Sequence, residues 1–154
     1  MATSQAQKLE RFIDSLGLRH FKGAELTPYW SKTRRGVVNS VPPEKLWPNI
    51  VETLVVLDEV RERLGKSITL TSTYRSPAYN QAVGGARFSQ HLVFNATDIQ
   101  ARGAKPAEVA ELAKELRGKR FKNPLTGKPF TFKGGIGRYA TFVHIDTRGH
   151  NADW

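Results

Sequence analysis

The sequence predicts an α+β domain in which a mostly antiparallel sheet is flanked by helices. Three observations support this class. Segments with helical apolar spacing alternate with short β-branched segments, the connections are short, and the last strand candidates follow one another without an intervening helix. The chain of 154 residues is long enough for about one domain with a single core.

The N-terminal half predicts two helices separated by an irregular segment. Residues 6–16 carry apolar side chains at helical spacing and predict a short amphipathic helix. Residues 17–42 are rich in glycine, proline and polar residues, so we expect them to wrap irregularly over the core. A proline pair ending at Pro43 then opens a long helix that runs to about Leu64, and Gly65 follows as its terminator.

The C-terminal half predicts two further helices set among short strands. Residues 67–73 alternate and are β-branched, which indicates a strand. Ser76, followed by proline, has the form of an N-cap and predicts a short helix to Val83. Residues 95–101 are the second strand candidate, and a proline-initiated helix follows and stops at Gly118. The remaining strand candidates are residues 129–132, 135–139 and 141–146.

Composition excludes several classes of protein. The chain has no cysteine, so any metal must be bound by histidine and carboxylate. No apolar run approaches the roughly 18 residues of a membrane span, and residues 1–8 lack the apolar segment of a signal peptide. The net charge of +10 favours anionic partners, either nucleic acid or an anionic cell-wall polymer. No nucleic-acid-binding motif accompanies this charge, so we expect no nucleic-acid partner.

Two histidines and two aspartates offer metal ligands in two short segments. His91 precedes Asp98 by a spacing that suits a loop leading into a strand. His144 and Asp146 share one face of the last strand because side chains alternate along a strand. Zinc binds histidine nitrogen and aspartate oxygen, and a catalytic zinc keeps a fourth position open. Convergence of His91, Asp98 and His144 would therefore create a zinc site and predict a hydrolase.

Each of these residues also has an ordinary structural explanation. A histidine in a strand is commonly a hydrogen-bonded core residue, Asp98 suits a strand edge, and Asp146 suits a turn. Because the His-x6-Asp pattern is loose, spacing alone leaves these alternatives open.

Three further residues could serve such a site. Arg75 lies between a predicted strand and the turn at Ser76, and a guanidinium held there could stabilise a developing oxyanion. Ser89 could hydrogen-bond the metal ligands or the substrate, and Tyr139 could donate to the substrate. The structural alternatives are a salt bridge for Arg75, a turn cap for Ser89 and core packing for the Tyr139 ring.

Several segments together resemble the zinc D-Ala-D-Ala peptidases of bacteria, whose superfamily includes lysostaphin-type enzymes and the sonic hedgehog signalling domain. The likeness covers residues 20–154, which we expect to form a zinc peptidase domain after an N-terminal helix and extension in residues 1–19. It is greatest for small peptidases with a Val-His-x-Asp-Thr ending, which occur as cell-wall endopeptidases and in bacteriophage lysis or tail modules. The matching segments are Thr71–Asn80, Val83–Ala86, Ser89–His91, Ala96–Asp98, Gly137–Tyr139 and Phe142–Gly149.

The resemblance implies a role for each matched position. His91, Asp98 and His144 correspond to the ligands of one zinc ion. Arg75 corresponds to the arginine that binds the substrate and the oxyanion, and Ser89 corresponds to a supporting serine.

Two positions depart from the family pattern. Phe94 stands where the family usually has glycine, and its ring could narrow the site or redirect the loop. Thr141 stands where many relatives have a catalytic Glu or Asp, and threonine cannot act as a base. Asp146 is therefore the candidate general base, which would take a proton from water and pass it to the leaving amine. The alternative role for Asp146 is to orient a ligand imidazole.

These implications predict a zinc-dependent peptidase that hydrolyses peptidoglycan stem peptides or cross-links at bonds involving D-amino acids. We expect bacterial peptidoglycan as the partner, no membrane association, and a monomer. The expected site of action is the cell wall or periplasm, and the lack of a signal peptide suits a phage-encoded or virion-associated enzyme. The alternative is a non-catalytic zinc-binding interaction module of the same fold.

Overall fold

The computed structural model describes residues 3–154, which form four α-helices and nine short strands joined by turns and 3-10 helices. The predicted α+β class is confirmed. None of the helices in this range is long and apolar enough to cross a bilayer. The helices are α1 Gln5–Asp14, α2 Val51–Leu64, α3 Pro77–Ala82 and α4 Pro106–Leu116. The strands are β1 Thr33–Arg34, β2 Val37–Val38, β3 Ile68–Ser72, β4 Ala96–Ala101, β5 Arg120–Lys122, β6 Pro129–Thr131, β7 Gly135–Arg138, β8 Val143–Asp146 and β9 Ala152–Asp153.

One five-stranded sheet organises the molecule, with the strand order β3-β4-β8-β7-β9. Its neighbouring strands are antiparallel except for β7 and β9, which run parallel. The register between β4 and β8 places Asp98 opposite His144 and Ala96 opposite Asp146. Because opposed residues point to the same face of a sheet, Asp98, His144 and Asp146 project from one side.

The apolar core is built from the alternate residues of the same strands and from the helices. Ile99, Val143 and Ile145 are buried between the polar positions of β4 and β8. Helix α4 packs against β4, β7 and β8, and α2 packs against α4. Helix α1 adds Leu9 and Ile13 to the same core. Alternation along the two strands thus separates the candidate site residues from the core.

Departures from the predicted elements have identifiable causes. The long helix begins as a 3-10 helix over Glu44–Ile50, because Pro48 has no N–H and crowds the preceding turn, so the α-helix starts at Val51. It ends as predicted at Gly65, whose φ of 63° is left-handed. The strands β1, β2, β5 and β9 are absent from the prediction because segments of two or three residues show no readable alternation.

Phe94 connects the turn that carries His91 to strand β4. Its backbone is left-handed, with φ 59° and ψ 44°, a conformation that costs a residue with a side chain about 1–2 kcal/mol. Its ring is fully buried and packs edge-on against Trp30 and Tyr74, with centroids 5.9 and 6.2 Å away. The expectation that this ring could narrow the site is wrong, because the turn directs it into the core. The same turn explains why the peptidases that the sequence resembles usually have glycine there.

Substitution of Phe94 separates the cost of the left-handed backbone from the contribution of the buried ring. We expect Phe94→Ala to lower the free energy of unfolding by about 3–5 kcal/mol, because it removes a buried aromatic side chain. Phe94→Gly should be about 1 kcal/mol less destabilising than Phe94→Ala, since glycine adopts positive φ without strain. Urea denaturation measures both values.

Phe132 provides the matched control, because it is equally buried but lies outside the left-handed region. At this position the free energy of unfolding of Phe132→Gly should be no higher than that of Phe132→Ala. The same order of stabilities at both positions would contradict the assignment of backbone strain to Phe94.

Candidate metal centre

Three side chains from three different elements converge. His91 lies on the 3-10 turn Gln90–Val93, which Ser89 caps by accepting the backbone N–H of His91. Asp98 and His144 face each other on β4 and β8. One ligand atom from each of the three residues lies within 4.8 Å of the other two, and all three residues are buried. The structure thus brings together the three residues that the sequence predicted as ligands.

The hydrogen bonds of His91 determine which ring nitrogen faces Asp98. Nδ1 lies 2.5 Å from the carbonyl oxygen of Thr73, which can only accept, so Nδ1 carries the ring proton and donates a hydrogen bond to this oxygen. Burial lowers the pKa of His91 and outweighs Asp98, which would raise it. The lowered pKa favours the neutral ring. Nε2 then presents a lone pair to Asp98 Oδ1 at 3.3 Å. Two acceptors that face each other define a position where a cation would be stabilised.

His144 lies between two carboxylates. Its Nδ1 is 3.0 Å from Asp98 Oδ1, and its Nε2 is 2.7 Å from Asp146 Oδ2. Burial alone would lower the pKa of His144, but the two carboxylates outweigh burial and raise it. Burial would likewise raise the pKa of Asp98, but hydrogen bonds with His144 and His91 hold that pKa well below its ordinary value. Asp98 is therefore ionised at neutral pH although it is buried.

Asp146 is fully buried, and its oxygens are already engaged. Oδ1 accepts the backbone N–H of Gly135 at 2.9 Å, and the Arg148 guanidinium donates to Oδ2 at 2.7 Å. Burial would raise the pKa of Asp146, but His144, Arg148 and the Gly135 N–H together hold it well below its ordinary value. Of the two roles considered for Asp146, this geometry favours orientation of the His144 imidazole over proton transfer.

The set of donor atoms fits a zinc ion. Two imidazole nitrogens, from His91 and His144, and one carboxylate from Asp98 are the ligand types that zinc binds, and three is the number that catalytic zinc sites use. Both imidazoles also make the outward hydrogen bonds that orient metal-binding histidines, one to the Thr73 carbonyl and one to the Asp146 carboxylate. These residues would therefore hold one zinc ion.

Comparison with known protein families places this arrangement in one group. The family model described as Peptidase M15 matches residues 19–146. The chain belongs to the peptidase M15 family. The resemblance to the zinc D-Ala-D-Ala peptidases is confirmed by this match. M15 peptidases are zinc-dependent metallopeptidases, and the matched range contains His91, Asp98 and His144. No curated protein sequence matches the chain.

The metal centre of this M15 domain opens into a cleft of about 580 Å³. Arg75, Ser89 and Tyr139 all line this cleft together with the three ligand residues. Arg75 donates to Asn80 Oδ1 at 3.2 Å and to Asp98 Oδ2 at 3.3 Å, so it positions a ligand carboxylate and brings a positive charge to the cleft. Asp146 alone among the predicted site residues does not reach the cleft lining.

The position of the family's usual catalytic acid lies outside the cleft in this M15 chain. Thr141 is exposed in the turn between β7 and β8 and does not contribute to the lining. Among the cleft-lining residues within the described range, Asp98 carries the one side-chain carboxylate.

Trp154 and Arg148 line the cleft but are not among the predicted site residues. The signal that could have found Trp154 is the spacing of Gly135 and Gly137 on β7. A Cβ atom at either position would come within 3.0 Å of the indole ring. Two glycines on one face of a strand indicate a close approach by other groups, here the Trp154 indole and, at Gly135, also Asp146 and Arg148.

Asp146→Asn tests the positioning role of this carboxylate. Asparagine can still accept the His144 hydrogen bond but carries no charge, so we expect the zinc affinity to fall by about 10–100-fold. Competition with a chromophoric chelator measures the affinity. Asp58→Asn is the matched control, because Asp58 is also buried and accepts from Arg19 but, unlike Asp146, makes no hydrogen bond to a ligand histidine within residues 3–154. An equal loss of affinity in both variants would contradict a specific role for Asp146.

Proposed function

We propose that this M15 chain is a zinc-dependent peptidase that hydrolyses bacterial peptidoglycan stem peptides or cross-links at bonds involving D-amino acids. The observation that carries the proposal is the convergence of two imidazole nitrogens and one carboxylate, from His91, His144 and Asp98, beside an open cleft. The cleft volume lies in the range of about 300–1,000 Å³ that is usual for sites of small ligands. The substrate class rests on the resemblance to peptidoglycan peptidases.

Each residue has a task that its position supports. A zinc ion held by His91, Asp98 and His144 would supply Lewis acidity for peptide hydrolysis. His91 presents its Nε2 lone pair because its Nδ1 donates to Thr73, and His144 would present its Nδ1 lone pair on giving up that proton, since its Nε2 donates to Asp146. Arg75 uses one N–H each of Nη1 and Nη2 within the protein, and its Nε is buried. The second N–H of Nη1 or Nη2 would stabilise negative charge on the carbonyl oxygen.

The charge of the chain supports action at the cell wall. A net charge of +10 attracts the anionic polymers of a bacterial wall and raises the rate of encounter with them. We propose on this basis that the protein acts at the wall or in the periplasm. Binding to nucleic acid instead would be recognised by an affinity that falls steeply with salt.

A non-catalytic zinc-binding module is the second candidate, and one observation favours it. Within the described residues that line the cleft, the one side-chain carboxylate belongs to Asp98, which is itself a proposed ligand. No additional acid is therefore available there to take a proton from the attacking water. In this case zinc would stabilise the fold or a partner-binding surface without hydrolysis.

Digestion of purified peptidoglycan distinguishes these candidates. We expect the zinc-loaded protein to release fragments whose new termini are identified by mass spectrometry, and a chelator to abolish this release. His91→Ala should lose both zinc and cleavage, because it removes one of three ligands. Stoichiometric zinc without chelator-sensitive cleavage would favour the binding module over the peptidase.

Arg75→Lys tests the stabilisation of the oxyanion. Lysine keeps the charge but loses the planar fork of donors, so we expect kcat/KM to fall by about 10²–10³-fold while the zinc content is retained. Arg120→Lys on the exposed strand β5 is the control and should leave turnover unchanged. Turnover near the wild-type value in Arg75→Lys would exclude the proposed role of Arg75.

A further inference from the structure

Trp154 is held beside the metal centre by the backbone of the sheet. The backbone N–H of Trp154 donates to the carbonyl of Ile136 at 3.2 Å, and its backbone carbonyl accepts the backbone N–H of Arg138 at 2.8 Å. The indole packs over Gly137, where a Cβ would come within 2.5 Å of the ring nitrogen. The centroid of the indole lies 5.0 Å from that of the His144 ring. Strand β7 thus fixes Trp154 next to a ligand residue.

Tyr139 is fixed at the same cleft by two aromatic neighbours. Its ring stacks on Phe142 with centroids 4.3 Å apart and planes 8° apart, and its N–H donates to the Phe142 carbonyl at 3.0 Å. Its hydroxyl oxygen lies 2.7 Å from Trp154 Nε1. Ring and hydroxyl are therefore both held before any substrate arrives.

The direction of this last hydrogen bond is determined by chemistry. An indole nitrogen can donate but cannot accept, so the Tyr139 oxygen is the acceptor and its own proton points elsewhere. Within residues 3–154 the hydroxyl makes no other hydrogen bond. The Tyr139 side chain lines the cleft and is 42% exposed. Its O–H proton is therefore available to a ligand in the cleft.

We propose that Trp154 is a positioning residue whose indole N–H holds the Tyr139 hydroxyl so that Tyr139 donates a hydrogen bond to a carbonyl or carboxylate oxygen of the peptide substrate. The substrate in this statement rests on the proposed function. The indole does not touch the reacting bond in this scheme. It acts through Tyr139. Because the indole is held over the glycines of β7, its N–H stays bonded to the Tyr139 oxygen, and the O–H proton of Tyr139 points away from the indole.

Nuclear magnetic resonance tests the hydrogen bond without requiring catalysis. The chain has three tryptophans, so its indole N–H signals are few and Trp154→Phe identifies the one of interest. Tyr139→Phe removes one oxygen and should shift the Trp154 indole signal while leaving that of Trp47 in place, because Trp47 donates to the Pro42 carbonyl. An unchanged Trp154 signal in Tyr139→Phe would overturn the proposal.

A double-mutant comparison tests the coupling to substrate. We expect Tyr139→Phe to lower kcat/KM for a peptidoglycan peptide by about 10–100-fold, the range of one hydrogen bond to a charged group. Trp154→Phe should lower it by about 3–10-fold, and by less than about twofold when Tyr139 is already Phe, because the indole acts through the hydroxyl. The zinc content of all variants should equal that of wild type, and Leu125→Ala in the exposed turn between β5 and β6 is the control.

The outcomes separate this proposal from the peptidase assignment. Equal effects of Trp154→Phe in both backgrounds would overturn the action through Tyr139, as would loss of zinc in Trp154→Phe, while the peptidase assignment would stand. A wild-type protein that neither cleaves nor binds peptidoglycan peptides would overturn the peptidase assignment and the substrate half of the proposal. The indole measurement would then still decide whether Trp154 holds the hydroxyl.

Discussion

The register between β4 and β8 is the constraint on which the metal centre depends. It places Asp98 opposite His144 and sets Asp146 on the same face. A slip by one residue would turn these side chains into the core and bring Val143 and Ile145 into the cleft. Burial of those two apolar residues therefore fixes the register, since each contributes about 1.5–3 kcal/mol when fully removed from water. Hydrophobic burial on one face of the sheet thus sets the geometry of the ligands on the other.

Two buried carboxylates on this face create a second dependence. Each has its own arginine: Arg75 donates to Asp98, and Arg148 donates to Asp146. His144 lies between the two acids and bonds both. Buried charges without such partners would cost several kcal/mol each, so the arginines are part of the folded structure as well as of the cleft. The His91 lone pair faces the Asp98 carboxylate, and a bound cation would relieve the repulsion between these two acceptors. Metal binding is therefore expected to stabilise the folded state.

Local signals in the sequence were enough to predict the main elements, whereas the metal ligands were predicted through the resemblance to the zinc peptidases. Ser76 caps α3 and Gly65 ends α2 as predicted, since each effect depends on one or two neighbouring residues. The roles of Asp146 and Trp154 could not be derived in this way. The role of Asp146 depends on its contacts with an arginine and with the backbone of β7. The position of Trp154 depends on the pairing of β9 with that strand. Such pairings join positions whose relation is set by the whole fold.

The ligands and the aromatic side of the cleft have separate structural support. Asp98 and His144 lie on interior strands, whereas Trp154 follows the edge strand β9 and Tyr139 begins the turn after β7. Residues on edge strands and turns pack against fewer neighbours than residues on interior strands. Substitutions there therefore lower the stability of the fold less. The aromatic residues of the cleft can therefore vary in this M15 domain while the geometry of the metal centre is preserved. The glycine at position 137 is the link between the two, because it admits the indole to the face of β7 that adjoins His144.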